Sequence, residues 1–212
     1  KIEEFTDDSG NTFVKFPKLW MKWETDDADR ITGYKFAEYQ VDEDYFIPDA
    51  YLNPNNTTMD TYLDYFALGK YEMSGTKDKG YSVSGATLLT DINREEGRAA
   101  ARAYGSSNNL YNGYQMLDFA QLTLYNLMCM MFYGTANIQH VFSGRTGLES
   151  DGTEWEEPSI TGTTDGVNGL NGWNVSTGCV KMLGVENPYG NASKWVDGVN
   201  FVYGDIYAQR FP

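Results

Sequence analysis

Gly184-Val185-Glu186-Asn187-Pro188-Tyr189-Gly190-Asn191-Ala192-Ser193-Lys194-Trp195-Val196-Asp197-Gly198 is the stretch on which the reading of the fold turns. Its Asn-Pro and Gly-Asn pairs force bends, because proline fixes φ while glycine and asparagine tolerate positive φ. Trp195 and Val196 then open an apolar run that reads as core, followed by an Asp-Gly turn. A turn-rich segment wound around one indole is a way for a loop-heavy fold to hold together with little regular structure. On this reading Trp195 and Asn191 are structural.

Working outward, the chain of 212 residues is long enough for one sizeable domain with its own core. Aromatic residues make up 15%, with 16 Tyr and 5 Trp, and glycine is plentiful. That mixture fits a folded, turn-rich α+β domain and excludes a disordered or fibrous chain. Most of these rings are expected in core and strands, although Tyr and Trp also make good contact surfaces. The formal charge of −14 and a pI near 4.4 repel phosphate backbones, so nucleic acid is not an expected partner. No apolar run reaches the roughly 18 residues a membrane span requires, so no membrane insertion is expected. The chain begins at Lys1 without a methionine, which reads as a fragment or processed product.

Segments 13–23 (Phe13 to Trp23) and 31–39 read as strands, separated by an acidic turn over 24–29. Pro17 places the first on an edge or at a bulge. Segment 65–73 reads as a central strand. Two helices follow, over 90–104 with Gly105 as stop and over 116–133 with Gly134 as stop. The second is apolar nearly all round, with Met116, Phe119, Ala120, Leu124, Leu127, Met128 and Met131 as its main stripe, and is expected to be enclosed by protein. Residues 143–173 are Gly-, Thr- and Asp-rich loop, with four glycines in the twelve residues 162–173. Segments 175–183 and 199–203 are the last candidate strands.

His140 is the only histidine, so no multi-histidine zinc or iron site can be built, and a Ser-His-Asp triad has a single available base. It reads as a hydrogen-bonded structural residue. Cys129 and Cys179, each in an apolar context, read as inert core thiols, with a disulfide between them left open. Carboxylates are abundant enough for a glycosidase-like pair, but Asp26-Asp27-x-Asp29, Asp42-Glu43-Asp44 and Glu154-x-Glu156-Glu157 sit in polar turns and read as solvated charge. No cofactor motif is present. A structural calcium ion on the Asp-rich loops is the one option they leave, without EF-hand spacing. Asn55, Asn56, Asn174 and Asn191 head Asn-x-Ser/Thr triplets, which matter only in a glycosylating secretory pathway.

Four segments, in order, resemble one family. Val14-Lys15-Phe16-Pro17-Lys18-Leu19-Trp20-Met21-Lys22 is similar to the opening strand of phage tail-associated proteins with a formylglycine-generating-enzyme-type C-type-lectin fold. Leu68-Gly69-Lys70-Tyr71-Glu72 resembles their Gly-Lys-Tyr-Glu strand. Tyr133-Gly134-Thr135-Ala136-Asn137-Ile138-Gln139 resembles the end of their long helix, and Gly184 to Gly198 their Gly-Asn-x-x-x-Trp loop. The resemblance implies a single C-type-lectin-like domain over 1–212, with two main helices packed on small twisted antiparallel sheets and many loops. It implies a non-catalytic receptor-binding or adhesin module on a virion or cell surface. The partners would be a host surface protein or glycan and other virion subunits, with homotrimeric assembly a further implication. Relatives among the variable proteins of diversity-generating retroelements present a terminal Gly-Gly-Ser/Asn-Trp segment. This chain stops at Phe211-Pro212 before any such segment, as if truncated at its C-terminus.

The enzyme branch of that fold needs a close pair of copper-binding cysteines late in the chain, and here only Cys179 lies late. Sulfoxide-synthase relatives need several histidines. Catalysis is therefore not expected. The candidate ligand-binding residues are Asn168, Asn171, Trp173, Asn174 and Tyr189, which combine amide hydrogen bonding with aromatic area in the Gly-rich loops. A carbohydrate-binding lectin module is the alternative, although Glu186-Asn187-Pro188 reverses the order of the Glu-Pro-Asn sugar motif. A structural tail or baseplate component is a third reading.

Overall fold

The structure is a computed structural model describing residues 1–53, 61–104, 114–145, 157–203 and 205–208. The turn expected after Asn53, the triplets at Asn55 and Asn56, the Gly105 stop, Glu154, Glu156 and the Phe211-Pro212 end lie outside the described residues.

The architecture is α+β, with small antiparallel sheets and two helices. Strands β1 (Glu3–Thr6) and β2 (Thr12–Pro17) form a hairpin. Then β3 (Trp20–Thr25) pairs with β4 (Ile31–Ala37), and β5 (Tyr65–Gly69) returns to β2. The first sheet has the order β1-β2-β5, so β2 is its centre and β5 an edge, the reverse of the sequence reading. Pro17 is the last residue of β2. The chain breaks there, and Lys18 N–H donates instead to Asp64 O (2.8 Å). The run 13–23 is therefore two strands in two sheets. A proline that ends a strand costs no ladder bond, so β2 can be central.

A small hairpin of β6 (Ser74–Thr76) and β7 (Lys79–Tyr81) leads to α1 (Arg94–Arg102). Asn93 caps α1 through a capping box with Glu96, satisfying two end donors reciprocally (3.0 and 2.9 Å). Helix α2 (Phe119–Tyr133) starts on Asp118, whose carboxylate accepts from Gln121 N–H (2.8 Å). It stops at Gly134 in the left-handed region (φ 66°), as the sequence predicts.

Helix α2 lies on the inner face of the first sheet. Val14 and Phe16 of β2 and Phe66 and Leu68 of β5 meet Leu124, Tyr125, Met128 and Cys129 of α2, and Met182, Leu183 and Val185 close the core. Phe16 stacks on Phe66 with centroids 5.1 Å apart and meets Tyr125 edge-on at 5.7 Å. The fully buried Tyr125 donates its hydroxyl to Met182 O (2.7 Å). The buried stripe of α2 is thus 124/125/128/129. Phe119 and Met131, expected in that stripe, are exposed, as is Phe132. The helix is apolar all round but covered on one face, which corrects the expectation that protein encloses it.

The last elements are β8 (Gly172–Trp173), β9 (Val180–Met182), β10 (Val185–Glu186), β11 (Val199–Val202) and β12 (Asp205–Ala208). Sheet β10-β9-β8 turns through Leu183 (φ 46°) and Gly184 (φ 89°), the paired positive φ of a two-residue hairpin loop. Glycine is required at 184 for space as well, because a Cβ would stand 3.1 Å from a Val14 methyl. Of segment 175–183 only 180–182 is strand, and Val175 lies in an exposed turn.

Candidate binding surface

Buried and half-buried polar side chains in or beside the 184–198 stretch fix its path. Glu186, at the end of β10, is 1% exposed and faces the glycine-rich loop. Its carboxylate accepts from Gly162 N–H (2.8 Å), Thr164 N–H (2.8 Å) and the Thr164 hydroxyl (2.7 Å). Burial pushes this carboxyl above its usual pKa, only partly offset by those three bonds. Beside it, Lys70 Nζ bridges Glu4 (2.9 Å) and Asp165 (3.2 Å), and Asp165 also accepts from the Tyr71 and Ser84 hydroxyls (2.6 Å each). Burial works to raise the Asp165 pKa, but the Ser84, Tyr71 and Lys70 hydrogen bonds together hold it below the usual range. Lys181, buried, donates to the Val167 carbonyl, and burial lowers its pKa. Loop 162–167, with no regular structure of its own, is thereby tied to β5 and to sheet β8–β10.

The next turn hangs on Glu72. Asn187, at φ 45°, donates from Nδ2 to Glu72 (3.0 Å) and accepts Val180 N–H (3.1 Å). Asn191, at φ 62°, donates to the same carboxylate (2.5 Å) and accepts Ser159 N–H (2.7 Å). Lys194 Nζ closes the set on Glu72 at 2.8 Å. These are the asparagines whose tolerance of left-handed backbone marks the segment as turns. Asn191 is structural, as expected.

Trp195 overturns the reading of this stretch. It is 51% exposed, and its indole N–H donates to Ile92 O (2.8 Å). The buried anchor is two residues further on, at Asp197, 1% exposed. Asp197 takes the Arg98 guanidinium in a two-pronged ion pair (2.6 Å to Nε, with Nη2 on the other oxygen). Its N–H donates to Leu117 O (2.8 Å), and its carbonyl accepts Phe119 N–H (2.9 Å). The hydrogen bond from Arg98 holds its carboxyl below the usual range. One aspartate thus joins the start of α2, the body of α1 and the C-terminal segment. The hydrophobic signal of Trp195 masks this anchor, because an Asp-Gly pair looks like an ordinary surface turn.

The five candidate ligand residues divide. Asn171 accepts from the Tyr133 hydroxyl (2.7 Å) and Leu183 N–H (2.7 Å). Asn174 donates to Thr163 O (2.5 Å) and accepts from Ser176. Tyr189 donates to Phe142 O (2.5 Å), and burial pushes its pKa to about 12. Asn168 and Trp173 face outward, with Trp173 41% exposed. Three of the five are thus engaged inside the fold, while Trp195, assigned to structure, joins Trp173 at the surface.

Trp195 and Lys194 stand at the rim of a cleft of about 1090 Å³, whose walls include Leu88, Ile92, Met116 and Leu117. Among the described residues no three His, Cys, Asp or Glu side chains converge as a metal site would require. Cys129 and Cys179 are buried free thiols, and burial pushes the Cys129 thiol up to about 12. His140 is exposed in the short turn Ile138–His140. Asp26 caps its own turn through Ala28 and Arg30, and Asp42 and Asp44 pair with Lys22 at the surface. No helix among the described residues is long and apolar enough to cross a membrane. In comparisons with known proteins, the chain matches no protein-family model and no curated sequence.

Proposed function

We propose that this chain is a non-catalytic receptor-binding module of the phage-tail or prophage surface type, built on a C-type-lectin-like fold of the formylglycine-generating-enzyme kind. The observation that carries the reading is the exposure of Trp173, at the end of the two-residue strand β8, and of Trp195, on an irregular segment, beside backbone pinned by buried polar groups. Rigid exposed aromatic side chains offer large contact area at little entropic cost. Trp and Tyr are enriched in protein interfaces relative to the rest of the surface. The ionisable groups near them support a binding role, because Glu72, Glu186 and Asp197 have their oxygens occupied by loop donors and cations. The expected partner is a host-surface protein or glycan, and other virion subunits would hold the module in place.

The test is binding of the purified, labelled chain to a panel of intact bacterial cells, with parallel cell samples treated with periodate or with protease. Trp195→Ala and Trp173→Ala should each weaken binding by about 10-fold or more, as loss of an interface aromatic does, with melting temperatures close to wild type. Loss on periodate treatment identifies a glycan, and loss on protease treatment a protein. Equal binding by wild type and both variants would remove these surfaces from the reading.

A further inference from the structure

We infer that Asn168 is a site of spontaneous covalent modification, closing on the nitrogen of Gly169 and opening again as aspartate or isoaspartate. A side-chain amide followed by glycine is suited to this, because glycine has no Cβ to shield its nitrogen or to restrict the backbone turn the ring requires. The Gly169 nitrogen, stripped of its proton by base, attacks Asn168 Cγ. A C–N bond forms, closing a five-membered imide. The Cγ–Nδ2 bond breaks, and Nδ2 takes a proton from solvent and leaves as ammonia. Water then opens the ring. Its addition at Cγ gives aspartate, and its addition at the main-chain carbonyl gives isoaspartate, whose backbone runs through Cβ and Cγ. The net reaction consumes one water and releases one ammonia, with no oxidant or reductant.

Hydrogen bonding decides which pair reacts. Among the described residues, Asp-Gly or Asn-Gly pairs stand at 165–166, 168–169, 171–172 and 197–198. The Asp165 carboxylate is held by Lys70, Tyr71 and Ser84, and that of Asp197 by Arg98. An ionised carboxylate is also a poor electrophile. Asn171 Oδ1 accepts from the Tyr133 hydroxyl and Leu183 N–H (2.7 Å each), and Gly172 is fixed in β8 opposite Lys181. Asn168 differs on each count. It is exposed, and its side chain has no hydrogen-bond partner among the described residues. Gly169 is exposed and outside helix and strand, and its N–H donates no backbone hydrogen bond there. A Cβ at Gly169 would meet nothing within 4 Å, so an imide ring has room. Backbone with so few bonds opens at low free energy, which brings the attacking geometry within reach. Val167 lies against Gly172, so the new carboxylate would join the surface beside β8 and Trp173.

Incubation of the full chain at pH 6 and pH 8, folded and in guanidinium chloride, tests this for wild type, Asn168→Gln and Asn171→Gln. Peptide mapping with fragmentation locates each gain of one mass unit, and incubation runs until both pairs have converted in the denatured control. The Asn112-Gly113 pair, outside the described residues, is read in its own peptide. In the folded wild type, position 168 should convert about 10-fold or more faster than 171, whose amide must first give up two hydrogen bonds. Denaturant should bring the two rates together. Conversion should be faster at pH 8, where more of the Gly169 nitrogen is deprotonated, and should yield both aspartate and isoaspartate peptides. Asn168→Gln should abolish the gain at 168, because a longer side chain closes a less favourable ring, while Asn171→Gln should leave it. Equal rates at 168 and 171 in the folded chain overturn the inference, as does a position 168 that converts only in denaturant. Mass reads the modification directly, so this inference and the proposed binding role can fail separately.

Discussion

The substitution Asp197→Asn isolates the contact on which the C-terminal architecture depends. The carboxylate retains 2% side-chain exposure, while the Arg98 side chain keeps 25%. Removing one member of a buried ion pair costs about 3–5 kcal/mol, chiefly through the charge left unpaired. Here that charge is Arg98, which keeps water and still holds Glu95 at 2.5 Å. The introduced amide would occupy nearly the same volume and keep one acceptor for Gly198 N–H, now at 2.9 Å. The loss should therefore fall below the buried-pair range, at roughly 2–3 kcal/mol. For a chain of this size that is a drop of about 5–10 °C in melting temperature. The pH dependence follows from the lowered Asp197 pKa. A depressed carboxylate contributes stability above its unfolded pKa, near 3.8, and loses it as pH falls through the folded value. The gap between wild type and variant should thus be full near neutrality and close below about pH 4. Urea titrations monitored by tryptophan fluorescence at pH 7 and pH 3.5 measure both quantities. A gap under ~0.5 kcal/mol at pH 7, the range of an exposed pair, or a gap that widens in acid, would refute the assignment of Asp197 as the anchor.

Two further outcomes follow from the buried polar groups. Glu186→Gln should destabilise by about 1–2 kcal/mol at neutral pH, because an amide nitrogen cannot accept from Gly162 or Thr164. Its pH trend should oppose that of Asp197: a raised carboxyl pKa means protonation favours the fold, so wild type gains on the variant as pH falls toward 4.5. Denaturant titrations at pH 7 and pH 5 check the sign, and a gap that shrinks on acidification contradicts it. The thiols at 129 and 179 should fail to react with Ellman's reagent at pH 8 in the folded chain and both react in denaturant. A fast-reacting native thiol would show that one of the two sites opens.

The contrast between Trp195 and Asp197 explains which parts of this fold are legible in the sequence. Strands and helices announce themselves through periodicity, so the alternating Val14 and Phe16 and the stop at Gly134 stand where the pattern puts them. Periodicity reports which residues are apolar, and it is silent when all faces are. In α2 the choice of Leu124, Tyr125, Met128 and Cys129 over Phe119 and Met131 is made by where the sheet lies. The asparagines of 187–191 are legible as bends through their backbone preference, and the same preference places their amides on Glu72. What escapes are long-range polar contacts: Asp197 with Arg98 and Glu186 with Thr164 join residues far apart in the chain, with no local spacing to betray them. The same competition decides the outcome for the proposed contact residues. An asparagine in a tight loop satisfies nearby backbone first, as Asn174 does with Ser176 N–H, while Asn171 is taken up by the more distant Leu183 N–H and Tyr133 hydroxyl. Trp173 and Trp195 remain at the surface, which is why the proposed binding role rests on the indoles and not on Asn171 and Asn174.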